Sequence, residues 1–221
     1  MTMELLDFAR GVALKVALVV FVAGTLWRLV GILSLPRVGD LSLAREGAPA
    51  PLVGALRTIV RRMWPRPEFG RSTLFSTVNG YVFHLGLAVV VFGLAPHILF
   101  IRNLLGLHWP ALPSGVVYGV GVITLASLFA ALARRLTHPV LQLLSDAGDY
   151  LSWLLTALPV ATGLMASSHL GARYETLLAL HILSIAALLI WFPFGKLMHA
   201  VLFAFARGAT GMRFSHRGVN A

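Results

Sequence analysis

Five stretches of this chain stay apolar for about 20 residues at a time, the length an α-helix needs to cross the hydrocarbon core of a bilayer. Lipid offers a backbone no hydrogen-bond partners, so such runs can only be helices that satisfy themselves and pack into a bundle. The runs are read as residues 12–33, 79–101, 116–133, 149–166 and 176–205. The last is long enough to tilt or to project, and Pro193 inside it is expected to bend it. Over 221 residues the chain is 58% hydrophobic and 12% charged, with a mean hydropathy of +0.84. Soluble domains rarely reach such values. The first run is followed by a broad basic loop and shows no small-residue cleavage site, so it is read as a retained span. The expectation is an all-α integral membrane protein, a five-transmembrane-helix bundle forming one domain over 1–221, with no internal repeat.

Charge orients the bundle. The longest loop, residues 34–76, holds Arg37, Arg45, Arg57, Arg61, Arg62, Arg66 and Arg71 against Asp40, Glu46 and Glu68. The third run ends in Arg134 and Arg135, and the tail adds Arg207, Arg213 and Arg217. The opposite loops carry only Arg102 and Arg173, with Arg10 near the N-terminus. Basic loops stay in the cytoplasm, so the N-terminus is expected outside and the C-terminus inside, in the cell inner membrane with several passes. The net charge of +10 is then explained by these loops and anionic lipid, without nucleic acid. Residues 52–63 alternate apolar side chains with arginines at near-helical spacing. They are read as a short amphipathic helix lying on membrane lipid, with a docking surface for a cytoplasmic partner as the alternative. Zero cysteines exclude disulfides, thiolate-held iron–sulfur clusters and covalent c-type haem within this chain.

Histidines supply the chemistry. Of eight in the chain, His84, His97, His181 and His199 fall inside the apolar runs, where ionisable groups are expensive and usually functional. His181 and His199 are 18 residues apart, five helical turns, so on one straight helix both leave the same face about 27 Å apart. Neutral imidazole is the usual axial ligand of b-type haem, and two antiparallel helices can clamp two haems with four of them. With the N-terminus outside, the pairs are His84 with His199 toward the cytoplasm and His97 with His181 toward the outside. A 13-residue interval sets His84 and His97 about 140° apart on an ideal helix, and Pro96 is expected to bend the helix and correct this. Gly86 and Gly93 are read as room for a porphyrin beside the backbone.

Phe83-His84-Leu85-Gly86-Leu87, the His181 to His199 interval, and Phe192-Pro193-Phe194-Gly195-Lys196-Leu197-Met198-His199 together resemble the gamma subunit of respiratory nitrate reductase. Membrane subunits of sulfite-reductase-associated and heterodisulfide-reductase-like complexes share that module. The resemblance covers the last four runs well and the first loop poorly. In that family the second ligand of the run falls ten residues after the first. Here that position is Leu94, and His97 lies one turn later.

The resemblance implies a dihaem b-type subunit of a quinol-linked respiratory oxidoreductase. Quinol or quinone would react at the outer face beside His97 and His181. Electrons would pass to a cytoplasmic iron–sulfur subunit, which must be a separate chain, and then to a further catalytic subunit. Arg102, His108, His169, Arg173, Tyr174 and Glu175 are the quinol-site candidates, because quinol needs a proton acceptor and a hydrogen-bond partner. Lys196, one turn before His199, is a candidate to meet a haem propionate. The competing readings are a transporter or channel whose intramembrane histidines relay protons, and a structural anchor without cofactor. A zinc or copper site fits poorly, since the histidines of one helix lie too far apart to meet at one ion.

Overall fold

The computed structural model describes residues 2–36, 40–65 and 67–219; Arg37 and Arg66 of the basic loop lie outside them. The described residues form ten α-helices and no strand. These are α1 (Thr2–Phe8), α2 (Leu14–Leu33), α3 (Pro51–Arg61), α4 (Gly70–Gly93), α5 (Ala95–Leu105), α6 (Ser114–Thr137), α7 (Pro139–Leu144), α8 (Ala147–Ser168), α9 (Tyr174–Trp191) and α10 (His199–His216). Five helical segments are long and apolar enough to cross a membrane: Met3–Leu33, Pro67–Gly93, Ser114–Thr137, Ala147–Ser168 and Tyr174–Trp191.

Three spans differ from their sequence-based bounds. The first starts earlier, through α1 and a π-helical turn at Ala9–Ala13, because Leu6 and Ala9 are buried against Ala179 of α9. The second ends at Gly93 instead of running on to residue 101. Leu94 turns extended, at φ −80° and ψ 128°, and Pro96 opens α5. Pro96 has no N–H to give the Phe92 carbonyl, so α4 cannot run on unbroken through it, and proline suits a first turn, where no N–H is needed. His84 and His97 therefore belong to different helices, and the ideal-helix angle between them does not apply.

The fifth span ends at Trp191, not 205. Pro193 has no N–H for the Leu189 carbonyl, and Gly195 is extended at φ −95° and ψ −176°. A single turn at Lys196–Met198 leads into α10. His181 and His199 thus sit on two helices joined by a break. The break is gripped from both sides. Pro193 fills a notch at Gly24 of α2, where an added Cβ would stand 2.7 Å from the proline ring, and Phe192 meets Phe21 edge-on at 5.1 Å. On the other side the Trp191 indole donates to the Ser152 hydroxyl of α8 at 2.9 Å.

The spans pack in a series that is not their chain order. α1 and α2 lie on α9, α9 on α8, α8 on α6, and α6 on α4. Leu128, Ala157 and Val160 form the buried centre of the α6–α8 contact, with Phe83, Leu87 and Trp153 around it. Gly86 and Gly93 serve this packing. A Cβ at Gly86 would run into Thr124, and one at Gly93 would stand 2.9 Å from Leu112. The small residues expected to make room for a porphyrin instead let α4 approach α6 and the segment before it. α4, at one end of the series, and α9 do not pack along each other.

Outside the spans, α3 packs on α10, and residues 40–50 wrap the end of α10. Arg45 N donates to the His216 carbonyl at 2.9 Å, and Arg217 Nε donates to Asp40 Oδ2 at 2.7 Å. The Arg217 hydrogen bond, helped by two from Ser42, holds the Asp40 carboxyl well below the usual carboxylate range.

Two outcomes follow from these contacts. Gly24→Leu should push Pro193 out of its notch and destabilise the bundle by about 1–3 kcal/mol, the usual result of overpacking, read as a lower unfolding midpoint in detergent. Because Asp40's folded pKa is depressed, the strap's stability is full above the ordinary carboxylate value of about 4 and is lost as pH falls below it. Hydrogen exchange at residues 40–50, corrected for intrinsic rates, should accelerate in that acid range, and Asp40→Asn should remove the dependence.

Candidate functional site

Across the space between α4 and α9, four imidazoles face one another in two pairs. The rings of His84 and His199 have centres 6.2 Å apart with planes at 83°. Those of His97 and His181 are 6.1 Å apart and nearly parallel, at 17°. His84 and His199 are exposed, and His97 and His181 half-buried. Imidazoles left uncovered on apolar spans carry a solvation penalty unless something polar or metallic takes them up.

The hydrogen bonds set which ring nitrogen is free. His84 Nδ1 lies 2.7 Å from the Gly80 carbonyl, His97 Nδ1 2.9 Å from that of Val90, and His199 Nδ1 2.8 Å from that of Lys196. A carbonyl only accepts, so in each ring Nδ1 carries the proton and Nε2 is the bare nitrogen. His181 Nδ1 lies 3.3 Å from Thr162 Oγ1, whose own proton goes to the Leu158 carbonyl at 2.7 Å. The same assignment follows. No hydrogen bond engages Nε2 of these four among the described residues. Metal-bound histidines show this arrangement: the far nitrogen donates to an oxygen, which fixes the ring's orientation and raises its basicity.

A helix break supplies one of these acceptors, that of Val90, while the Lys196 carbonyl lies in the turn into α10 and also accepts His199 N. The last carbonyls of a helix have no partner within it. At the end of α4 the Val90 carbonyl takes the His97 ring, that of Phe92 takes the Trp109 indole at 2.6 Å, and that of Gly93 takes Leu112 N at 2.9 Å. Lys196, whose carbonyl orients His199, is itself held by its side chain. Its ammonium reaches Asp146 Oδ2 at 2.8 Å and Asp149 Oδ2 at 2.6 Å, and Arg135 stands 3.4 Å from Asp149 Oδ1. The two aspartates also form the capping box of α8. The hydrogen bond from Lys196 holds the Asp146 carboxyl below its ordinary range. In this structure the Lys196 cation thus lies on carboxylates.

The donor set can be tested against the group it resembles. Two metal–nitrogen bonds of about 2 Å, plus about 1 Å from each nitrogen to its ring centre, put the centres of two axial imidazoles about 6 Å apart. Both pairs meet that spacing, with neutral nitrogens of the right tautomer. Gly163 of α8 makes room for one of them, since a Cβ there would stand 2.9 Å from His181 Cε1. Among the described residues no three of His, Asp and Glu converge as a metal-holding group. Each pair offers two nitrogens, too few to hold a bare metal ion, so a metal held there would have to bring its remaining ligands with it. Thr162 and Gly163 were missed in the sequence, because nothing about a threonine–glycine pair in an apolar run announces a neighbour on another helix.

The outer candidates divide into two groups. His169 ends α8 in the left-handed conformation, at φ 55°, and its ring stacks on Tyr174 at 5.2 Å. Arg173 caps α9, and Glu175 is in its first turn, so four candidates share one corner. Arg102 lies in the last turn of α5, and His108 is exposed in the loop beyond it. No hydrogen bond or ion pair joins these two to the corner among the described residues. The His108 loop is nonetheless tied to the break before His97, through Trp109 and Leu112.

The chain is 31% identical over 210 residues to a protein of Nitratidesulfovibrio vulgaris (strain Hildenborough), an alignment covering 94% of this chain and 92% of that one. It belongs to the same family as that protein. No family model matches the chain, and no solved structure matches it.

The Lys196 clamp makes a local prediction. Replacing both Asp146 and Asp149 by asparagine should free the turn that bears the Lys196 carbonyl. Hydrogen exchange over residues 192–199 should quicken several-fold while α9 stays unchanged. Equal exchange in variant and parent would show that Pro193 and Trp191 hold the break alone.

Proposed function

We propose that this chain is a dihaem b-type membrane subunit of a quinol-linked respiratory oxidoreductase, joining the quinone pool to an iron–sulfur partner. One observation carries the reading: two facing histidine pairs at ligand spacing, each Nδ1 tied to an oxygen and each Nε2 bare. His84 with His199 would hold one haem, and His97 with His181 the other. Such groups, when bound, supply reversible one-electron redox chemistry.

The residues' own work is positional and protonic. The carbonyls of Gly80, Val90 and Lys196 and the hydroxyl of Thr162 keep the imidazoles neutral and aimed. At the His97/His181 end, oxidation of a quinol releases two protons and two electrons. His169, Tyr174 and Glu175 stand together there as proton acceptors and hydrogen-bond partners. The orientation follows the distribution of arginines: the basic end, with the tail and residues 34–76, faces the cytoplasm of the inner membrane, and the N-terminus lies outside. An iron–sulfur subunit would then meet the basic end, and a further catalytic subunit would act on the terminal substrate.

The test is haem per polypeptide in the purified chain, by dithionite-reduced minus oxidised spectra. The expected value is two b-type haems. His84→Ala or His199→Ala should leave one, and His97→Ala or His181→Ala should leave the other, with distinguishable spectra. Folded protein that binds no haem on reconstitution would overturn the reading and bring forward the proton-relay transporter, in which the same histidines pass protons.

A further inference from the structure

From the sequence the last membrane span ends at residue 205, which splits α10 between that span and the tail, and α3 is a lone surface helix. In the structure these two form one unit. Their seam is built of small residues: Gly54 and Thr58 of α3 against Ser215 and Gly211 of α10, and Ile59 against Gly208. A Cβ on Gly54 would stand 2.5 Å from Ser215 Cβ, and one on Gly211 2.7 Å from Thr58 Cβ. The pairing descends along α10 as it climbs along α3, so the helices are antiparallel.

The seam fixes the rotation of both helices, at roughly 100° per residue. Leu52 and Leu56 of α3 then share one face of the pair with Phe205 and Met212 of α10. All four are uncovered, at 69%, 56%, 47% and 42% exposure. Arg57 and Arg61 lie on the opposite face, lining a cleft of about 260 Å³ with Arg45 and Phe214. Their guanidiniums make no hydrogen bond or ion pair among the described residues.

The pair is rooted at one level of a membrane-spanning helix. Tyr81 donates its hydroxyl proton to the Met63 carbonyl at 2.6 Å, and the Trp64 ring meets it edge-on at 5.4 Å. His199, the first residue of α10, faces His84, less than one turn further along α4. Both attachments fall within the candidate span Pro67–Gly93. The pair is thus attached directly to a helix long and apolar enough to cross a membrane.

We propose that α3 and α10 form a two-helix layer embedded in the membrane–water interface. Leu52, Leu56, Phe205 and Met212 lie in the acyl region of a phospholipid leaflet, and Arg57 and Arg61 reach its phosphates and the water above. The pattern is that of an in-plane amphipathic element: apolar side chains on one side, arginines on the other, small residues only where the helices touch. It does not depend on what the histidines bind.

The chain has no cysteine, so single cysteines can carry a spin label without background. Leu56→Cys, Phe205→Cys, Arg57→Cys and Arg61→Cys each alter one side chain off the seam. In vesicles of phosphatidylcholine and phosphatidylglycerol, labels at 56 and 205 should collide several-fold more with oxygen than with a water-soluble nickel chelate. Labels at 57 and 61 should show the reverse. Met212→Cys repeats the test on α10 should Phe205→Cys not fold. Nickel access at 56 and 205 equal to that at 57 and 61 would put the apolar face in water and overturn the proposal. Protection from both reagents at 56 and 205 would overturn it too, because protein would then cover the face.

Discussion

A carbonyl at the end of a broken helix inside a membrane must find its donor within the protein, because no water is there to supply one. At the break after α4 the donor is a histidine ring, and in the turn after α9 a second ring joins a carbonyl that already accepts a backbone N–H. Val90, left open where α4 stops, takes His97 Nδ1, and Lys196, in the turn after α9, takes His199 Nδ1. One interaction closes the helix end, aims the imidazole and sets its tautomer. At His97 the break and the bare Nε2 atom are therefore one structural fact. A straight α4–α5 helix would have given the Val90 carbonyl to the Leu94 N–H instead.

The breaks are held by packing on either side. Pro193 sits in the Gly24 notch, Trp191 bonds to Ser152, and the Lys196 ammonium spans two aspartates at the start of α8. On the other side of the gap, Trp109 and Leu112 fold the α5–α6 loop onto the end of α4. The helices that bear the rings are thus fixed by neighbours, while α4 and α9 themselves stay apart. That gap is bridged by two pairs of polar rings with centres about 6 Å apart.

Much of this was legible in the chain. Five apolar runs and the zero cysteine count bound the class, and the pairing of His84 with His199 and of His97 with His181 follows from alternating helix direction. The meeting of those rings in space agrees with that simple topological argument. The tidy five-turn interval between His181 and His199 was a different matter. It suggested a continuous helix, yet Pro193 and Gly195 end it. Gly86 and Gly93 were likewise legible as places of close approach, but their neighbours proved to be Thr124 and Leu112. A glycine states that something comes near without stating what.

The sequence by itself determined the helical class, the five segments able to cross a membrane, the polarity of the charges and the residue types able to bind a metal. These depend on local composition and on periods of a few residues, which the solvent reads directly. Only the tertiary structure decided where the helices stop, which carbonyl each imidazole faces, that Lys196 meets aspartates, and that α10 leaves the bundle to join α3. Three of the imidazoles bond to carbonyls three to seven residues away, but the rest depends on contacts between residues far apart in the chain, such as Gly24 with Pro193, Lys196 with Asp146 or Gly54 with Ser215. No local pattern encodes such partners, because a notch and the side chain that fills it are chosen by packing.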